Sequence, residues 1–194
     1  MSLDWKASRS GGLHGTYTVP GDKSISHRAI MLAALAEGES RIEGFLEGED
    51  TRATAKIFSQ LGVRIETPDA HTRIVHGVGL HGLKASAEAL DCGNAGTGMR
   101  LLTGLLSAQA FDSVLVGDAS LSKRPMARVI RLLEAMGAHI DARDGNFAPL
   151  RIHGGRVLQG QSVDTQVASA QVKSALIFAA LYAEGETVIT VPRP

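Results

Sequence analysis

PGDKSISHRAIMLAALAEGE, residues 20–39, decides how the rest of the chain is read. Lys23, Ser24 and Arg28 crowd into six residues, and the sequence then runs apolar without a break from Ala29 to Ala36. A helix that is apolar on every side is enclosed. A run well short of the roughly 18 residues of a membrane span is enclosed by protein rather than lipid. The cations therefore stand where a buried helix begins, and a helix N-terminus favours anions through its unpaired N–H groups and partial positive charge.

Working outward, the stretch proves to be one of three. Ser40-Arg-Ile-Glu-Gly44 returns in form as Ser113-Val-Leu-Val-Gly117 about 73 residues later, and Thr187-Val-Ile-Thr-Val191 follows at about the same interval. These strings read as strands, and each follows a run apolar nearly all round: Ala29 to Ala36, Leu101 to Ala110, Ala175 to Ala183. A second helix type comes next, with a single apolar stripe. Thr54, Ile57, Phe58 and Leu61 keep the i, i+3, i+4, i+7 spacing up to Gly62, and Val129, Leu132, Leu133 and Met136 repeat it up to Gly137. Two short strands close each unit, ending Arg73-Ile-Val-His-Gly77 and Arg151-Ile-His-Gly154. The predicted unit is strand, buried helix, strand, amphipathic helix, strand, strand. The third copy stops after its Thr187 to Val191 strand, so a fragment of a longer protein is expected.

Composition narrows the function. Twenty Lys plus Arg balance twenty Asp plus Glu, which leaves no global field for nucleic acid or an anionic membrane; any anion site must be local. One cysteine, Cys92, excludes an internal disulfide framework and a multi-cysteine zinc site and suits a reducing cytoplasm. The opening MSLDWKASRSGG has no apolar core of a signal peptide. A soluble, cytoplasmic protein is expected.

Each buried helix is entered through a polar loop: Gly21-Asp-Lys-Ser24, Gly93-Asn-Ala-Gly-Thr-Gly-Met-Arg100, and Ser169-Ala-Gln-Val-Lys173. Three such helices side by side would present three N-termini at one end, with Lys23, Arg28 and Arg100 adding full charges and Ser122-Lys-Arg-Pro125 a further cationic loop. Two familiar phosphate motifs fail. Asp22 separates Gly21 from Lys23, so there is no P-loop, and GNAGTG is not the G-x-G-x-x-G of a dinucleotide fold. Taken singly, the residues have plainer readings. A Lys-Ser pair at a helix start is capping and solvation, glycines at 93–98 form turns, and His27 beside Arg28 is a surface or capping histidine. His76 and His153 end strands at equivalent repeat positions, which favours a structural part, and Cys92 has no cationic neighbour in sequence and reads as inert. Only the repeat, by bringing the loops together, raises them above this.

PGDKSISHRAIMLAALAEGES, GNAGTGMR, LSKRPM and SAQVKSALIFAALYAEG, in this order and spacing, resemble the EPSP synthase (3-phosphoshikimate 1-carboxyvinyltransferase) family from about Gly15 to Val191. The resemblance implies an α/β fold of βαβαββ units around buried parallel helices, the inverse α/β barrel of the enolpyruvyl transferases, with this chain as one domain of two. It implies an N-terminal segment, 1–20, that belongs to the second domain, and a domain 21–194 of units at about 21–83, 84–155 and 156–194, the third incomplete. The implied activity is transfer of the enolpyruvyl group of phosphoenolpyruvate to the 5-hydroxyl of shikimate 3-phosphate with release of phosphate. No metal or organic cofactor is needed, glyphosate is a possible inhibitor, and the full-length protein would be a monomer that binds neither nucleic acid nor membrane.

Carried over by position, the resemblance makes Lys23 a catalytic residue that contacts phosphoenolpyruvate near the reacting hydroxyl. Ser24 and Arg28 would hold shikimate 3-phosphate at its carboxylate end. Gly96 would bring backbone close to phosphoenolpyruvate and Arg124 would pair with its phosphate or carboxylate. Ser169 would bind the phosphate of shikimate 3-phosphate and Gln171 would sit between the substrates, with Asn94, Thr97 and Ala170 as further binding positions. Three departures stand out: Gly98 and Leu101 where many members read Ala and Pro, and Ala170 where many carry a second serine. The acid/base carboxylates of the family come from the second domain, so this chain alone is expected not to turn over. The related transferase acting on UDP-N-acetylglucosamine would show a catalytic cysteine in a Pro-Cys-Gly loop, whereas Cys92 lies in Asp-Cys-Gly-Asn. RNA 3'-phosphate cyclase, with related units, lacks support in the neutral charge. A half that binds a phosphorylated ligand without catalysis remains the reading from outside the enzymes.

Overall fold

A computed structural model describes residues 4–9, 11–12, 14–166 and 168–192. Residues 14–22 carry no regular structure, and α1 (Lys23–Leu35) then begins where the Asp22 carboxylate accepts the Ile25 N–H at 2.7 Å. β1 (Glu37–Ile42) follows directly, and α2 (Glu49–Gln60) starts with Glu49 and Asp50 in its first turn, where carboxylates complement the helix dipole. β2 (Arg64–Asp69) and β3 (Thr72–Val78) form a hairpin, and β3 lies between β1 and β2 with both pairings antiparallel.

β4 (Leu90–Asp91), α3 (Gly96–Leu106) and β5 (Ser113–Val116) make a crossover that leaves β4 and β5 parallel. A single 3₁₀ turn, Leu121–Lys123, leads to α4 (Ala127–Ala135) and the hairpin of β6 (His139–Arg143) and β7 (Phe147–His153). The sheet order is β4-β5-β7-β6, so β5-β7-β6 repeats the arrangement of β1-β3-β2. Asn146 at the hairpin turn accepts the N–H groups of Met126 and Ala127 at 3.0 and 2.8 Å and so caps α4 from a distant loop. β8 (Ser162–Asp164), α5 (Ala170–Ala180) and β9 (Val188–Thr190) form a second parallel crossover.

The α/β class agrees with the expectation from sequence, and several details differ. Among the described residues no strand precedes α1. β1 begins three residues before Ser40, because Glu37, Gly38 and Glu39 find partners in Val78, Gly77 and His76. α5 starts at Ala170 rather than Ala175, because Ser169 caps it by accepting the Val172 N–H.

The larger difference concerns burial. Every residue of α3 except Arg100 is buried. A methyl at Gly104 would fall inside the van der Waals envelope of the Ala175 carbonyl, so glycine is what lets α3 and α5 pack backbone to backbone. The runs at residues 29–36 and 175–183, expected to be enclosed all round, leave Leu32, Ile177 and Leu181 exposed, and Ile25 in the first turn of α1 is exposed as well. α2 lies against α1 and α3, and α4 against α3 and α5. No helix of the described residues covers the remaining side. There a groove of ≈ 350 Å³ runs between α1 and α5, lined by Arg28, Leu32, Ser174, Ile177 and Phe178. No helix among the described residues is long and apolar enough to cross a membrane.

Candidate active site

The N-terminus of α3 is the centre of the site, and it is built differently from those of α1 and α5. Those two have side-chain caps, Asp22 and Ser169; the residue ahead of α3 is Ala95, which has none to offer. A methyl at Gly96 would meet the guanidinium groups of Arg100 and Arg124, each 3.1 Å away, so the glycine leaves open a space between two cations. Arg100 donates to the Gly96 and Pro125 carbonyls at 3.1 and 3.0 Å and to Gln171 Oε1 at 3.1 Å. The Gln171 amide donates in turn to Thr97 Oγ1 at 3.1 Å. Arg124 donates to Asn94 Oδ1, and the Asn94 amide donates to Asp118 Oδ2 at 2.7 Å, a chain that fixes the guanidinium plane. Burial, and then the nearby Arg124 and Arg128, lower the Arg100 pKa, the direction expected of a half-buried cation beside like charges.

A cleft of ≈ 670 Å³ opens beside this cluster, lined by Arg100, Arg128, Asn146, Ser169, Ala170 and Gln171. Asn94, Gly96, Thr97, Arg124 and Gln171 are thus brought together, with Ser169 and Ala170 at the edge of the cleft. The Ser169 hydroxyl accepts the Val172 N–H as the cap of α5, a bond that does not use its O–H.

The residues of α1 form the neighbouring part. Lys23 donates to Asp50 Oδ2 at 2.9 Å, and Arg28 donates to the Ser24 carbonyl at 3.0 Å and across to Ser174 Oγ on α5 at 3.1 Å. Among the described residues none of Arg28, Arg100 and Arg124 is ion-paired with a carboxylate. His27 joins the two parts: its Nδ1 shares a 2.7 Å hydrogen bond with Thr54 Oγ1, and a methyl at Gly98 on α3 would lie 3.0 Å from that same oxygen.

His27 is fully buried, which corrects the reading of it as a surface or capping histidine. Desolvation lowers its pKa to about 4, with smaller contributions of both signs from Asp50, Lys23 and Arg28, and its Nε2 has no hydrogen-bond partner. The sequence carried a signal for this, since His27 is followed by Ile30, Met31 and Ala34 at helical spacing. Asp50, the partner of Lys23, was also missed, and nothing local marks it. Cys92 is buried, and burial, with Asp91 adding to it, pushes its thiol up to about 12, far from a nucleophile's range.

These features have counterparts in known proteins. A family model described as EPSP synthase (3-phosphoshikimate 1-carboxyvinyltransferase) matches residues 8–194. Curated proteins named 3-phosphoshikimate 1-carboxyvinyltransferase from Xanthomonas oryzae pv. oryzae and Xanthomonas euvesicatoria pv. vesicatoria are 65% and 64% identical over 190 residues, which is 98% of this chain and 43% of theirs. The solved structure of EPSP synthase from Acinetobacter baumannii matches with a TM-score of 0.89 and 56% identity over 93% of this chain and 41% of that one. This chain therefore spans less than half the length of these relatives. With a family match over nearly its whole length and the motif loops gathered at one end of its helices, the chain belongs to the EPSP synthase family.

Proposed function

We propose that this chain supplies one side of an active site that transfers the enolpyruvyl group of phosphoenolpyruvate to the 5-hydroxyl of shikimate 3-phosphate, releasing phosphate. The observation that carries the reading is the set of guanidinium groups, Arg28, Arg100 and Arg124, with only neutral partners, at the end of the domain where α3 presents an uncapped N-terminus. Two polyanionic substrates repel each other in water, and fixed cations both neutralise and orient them. Arg124 and the open space at Gly96 take phosphoenolpyruvate, while Arg28, Ser24 and Ser169 take shikimate 3-phosphate. Gln171, already held by Arg100 and Thr97, stands between the substrates. Lys23, oriented by Asp50, faces the reacting atoms and stabilises charge as the vinyl carbon is attacked. Addition followed by loss of phosphate then needs an acid and a base, which in this reading come from the portion of the relatives outside the matched span.

The same reading covers the architecture. The elements are read as βαβαββ units of an inverse α/β barrel, with boundaries near residues 83 and 155 and the third unit incomplete. The groove between α1 and α5 is the seat of a third outer helix, since α2 and α4 fill the two equivalent seats. Trp5, Tyr17 and Val19 are exposed, as suits a segment 1–20 that packs on a second domain. The setting is cytoplasmic, and the complete protein acts as a monomer.

Calorimetric titration of shikimate 3-phosphate tests the reading. Saturable binding by residues 1–194, lost in Arg28→Ala, is expected, with no phosphate released when phosphoenolpyruvate is added. Absence of binding at millimolar ligand, or phosphate release at the rate of the full-length relatives, overturns it. Glyphosate is expected to occupy the space at Gly96 in the complete protein. A Gly96→Ala methyl set between Arg100 and Arg124 should raise its inhibition constant, and an unchanged constant removes glyphosate from this site.

A further inference from the structure

The two antiparallel sheets carry equivalent side-chain positions that differ in one respect. In the first, Arg64 and His76 face each other across β2 and β3, and Glu66 takes Arg64 at 2.8 Å and His76 Nε2 at 2.7 Å. Both donors meet Glu66 Oε1, and with a guanidinium as one of them the group is closed to a metal. In the second, His139 and His153 face each other across β6 and β7. Asp141, two residues along β6 and so on the same face, lies 2.8 Å from His153 Nε2 and 3.7 Å from His139 Nε2. The two rings stack with centroids 4.2 Å apart. An imidazole with a lone pair thus stands where the first sheet has a guanidinium with none.

Two imidazoles and a carboxylate, with ligand atoms all within 4.8 Å of one another, make a donor set for a divalent transition ion. Asp112, just ahead of β5, adds a further element. It lies 3.8 Å from His153 Nδ1, on the side where carboxylates stand behind metal-bound histidines, so it can hold the ring once Nε2 exchanges its 2.8 Å hydrogen bond to Asp141 for the ion. The neighbouring cations are Arg156, 3.4 Å from His139 Nδ1, and Arg151, 4.0 Å from Asp112. Both are at the surface, where long side chains can swing aside. The cluster lies at the far end of the β6–β7 hairpin from its turn, where Asn146 caps α4 and Arg143 reaches the Ser122 carbonyl, so it is separate from the substrate cleft.

We propose that His139, Asp141 and His153 form a surface site for a zinc-like divalent ion that ties β6 to β7, with Asp112 orienting His153. It plays no part in the transfer reaction. Untagged protein titrated with zinc chloride is expected to bind one equivalent at micromolar affinity and to melt at a higher temperature when loaded. Cobalt in its place is expected to give the visible absorption of a tetrahedral ion. His139→Arg rebuilds the closed group of the first sheet without disturbing the fold and should weaken zinc binding at least about tenfold, as should His153→Ala. His76→Ala should change nothing. No saturable binding up to millimolar zinc, or an affinity unchanged in folded His139→Arg, overturns the proposal.

Discussion

α3 is buried at every residue but Arg100, while α1, which also carries a long apolar run, leaves Ile25 and Leu32 in solvent, and α5 leaves Ile177. The three helices begin at the same end of the domain, so the contrast lies in what surrounds them. α3 has α2 on one side, α4 on the other and α5 at close range. α1 packs on α2 and α3, α5 packs on α3 and α4, and the two share one open groove. Apolar composition makes a helix suitable for enclosure; the neighbours decide whether it is enclosed.

The comparison can be broken most forcefully at the crossing of α3 and α5. Gly104→Val drives a branched side chain into the backbone of Ala175, which cannot rotate away, and should cost upwards of roughly 4 kcal/mol in chemical denaturation. A variant as stable as the parent would mean that the two helices are not held at this distance. Next, Leu102→Ala in α3 should cost about 3 kcal/mol, because the cavity is enclosed on all sides. Equal costs for Leu102→Ala and Leu32→Ala would erase the distinction between the helices.

His27 sharpens the comparison by showing that the inner side of α1 is as dry as α3. Its folded-state pKa is depressed to about 4, so the folded protein keeps it neutral while the unfolded chain takes up a proton below about 6.5. The resulting stability is present above pH 6.5 and is lost as pH falls towards 4. At about 1.4 kcal/mol per pKa unit this amounts to roughly 3 kcal/mol. His27→Asn should flatten the stability profile across that window, and identical slopes for parent and variant would contradict the burial. The smallest effect belongs to the open groove, where Leu32→Gln, at a side chain 53% exposed, should change stability by less than about 0.5 kcal/mol.

The sequence made the outer helices legible because periodicity and terminal glycines act locally: Ile57 and Phe58 on α2, and Val129 and Leu133 on α4, are buried as their spacing demands. The loops were legible as cationic for the same reason, since Lys23, Arg28, Arg100 and Arg124 announce their charge by type. Partners separated along the chain were not. Asp50 reaches Lys23 across 27 positions and Ser174 reaches Arg28 across 146, and only the folded helices bring them together. The exposure of Ile25 and Ile177 was hidden for a related reason: a sequence states what a helix face is made of and is silent about what lies opposite.

Cys92 carries a practical consequence. The only thiol of the chain is buried and its ionisation suppressed, so a maleimide or spin-label reagent meets in effect a cysteine-free protein. A single Ile177→Cys substitution would then place one probe in the groove between α1 and α5, with no background labelling to remove. Its mobility would report directly on when that groove is filled.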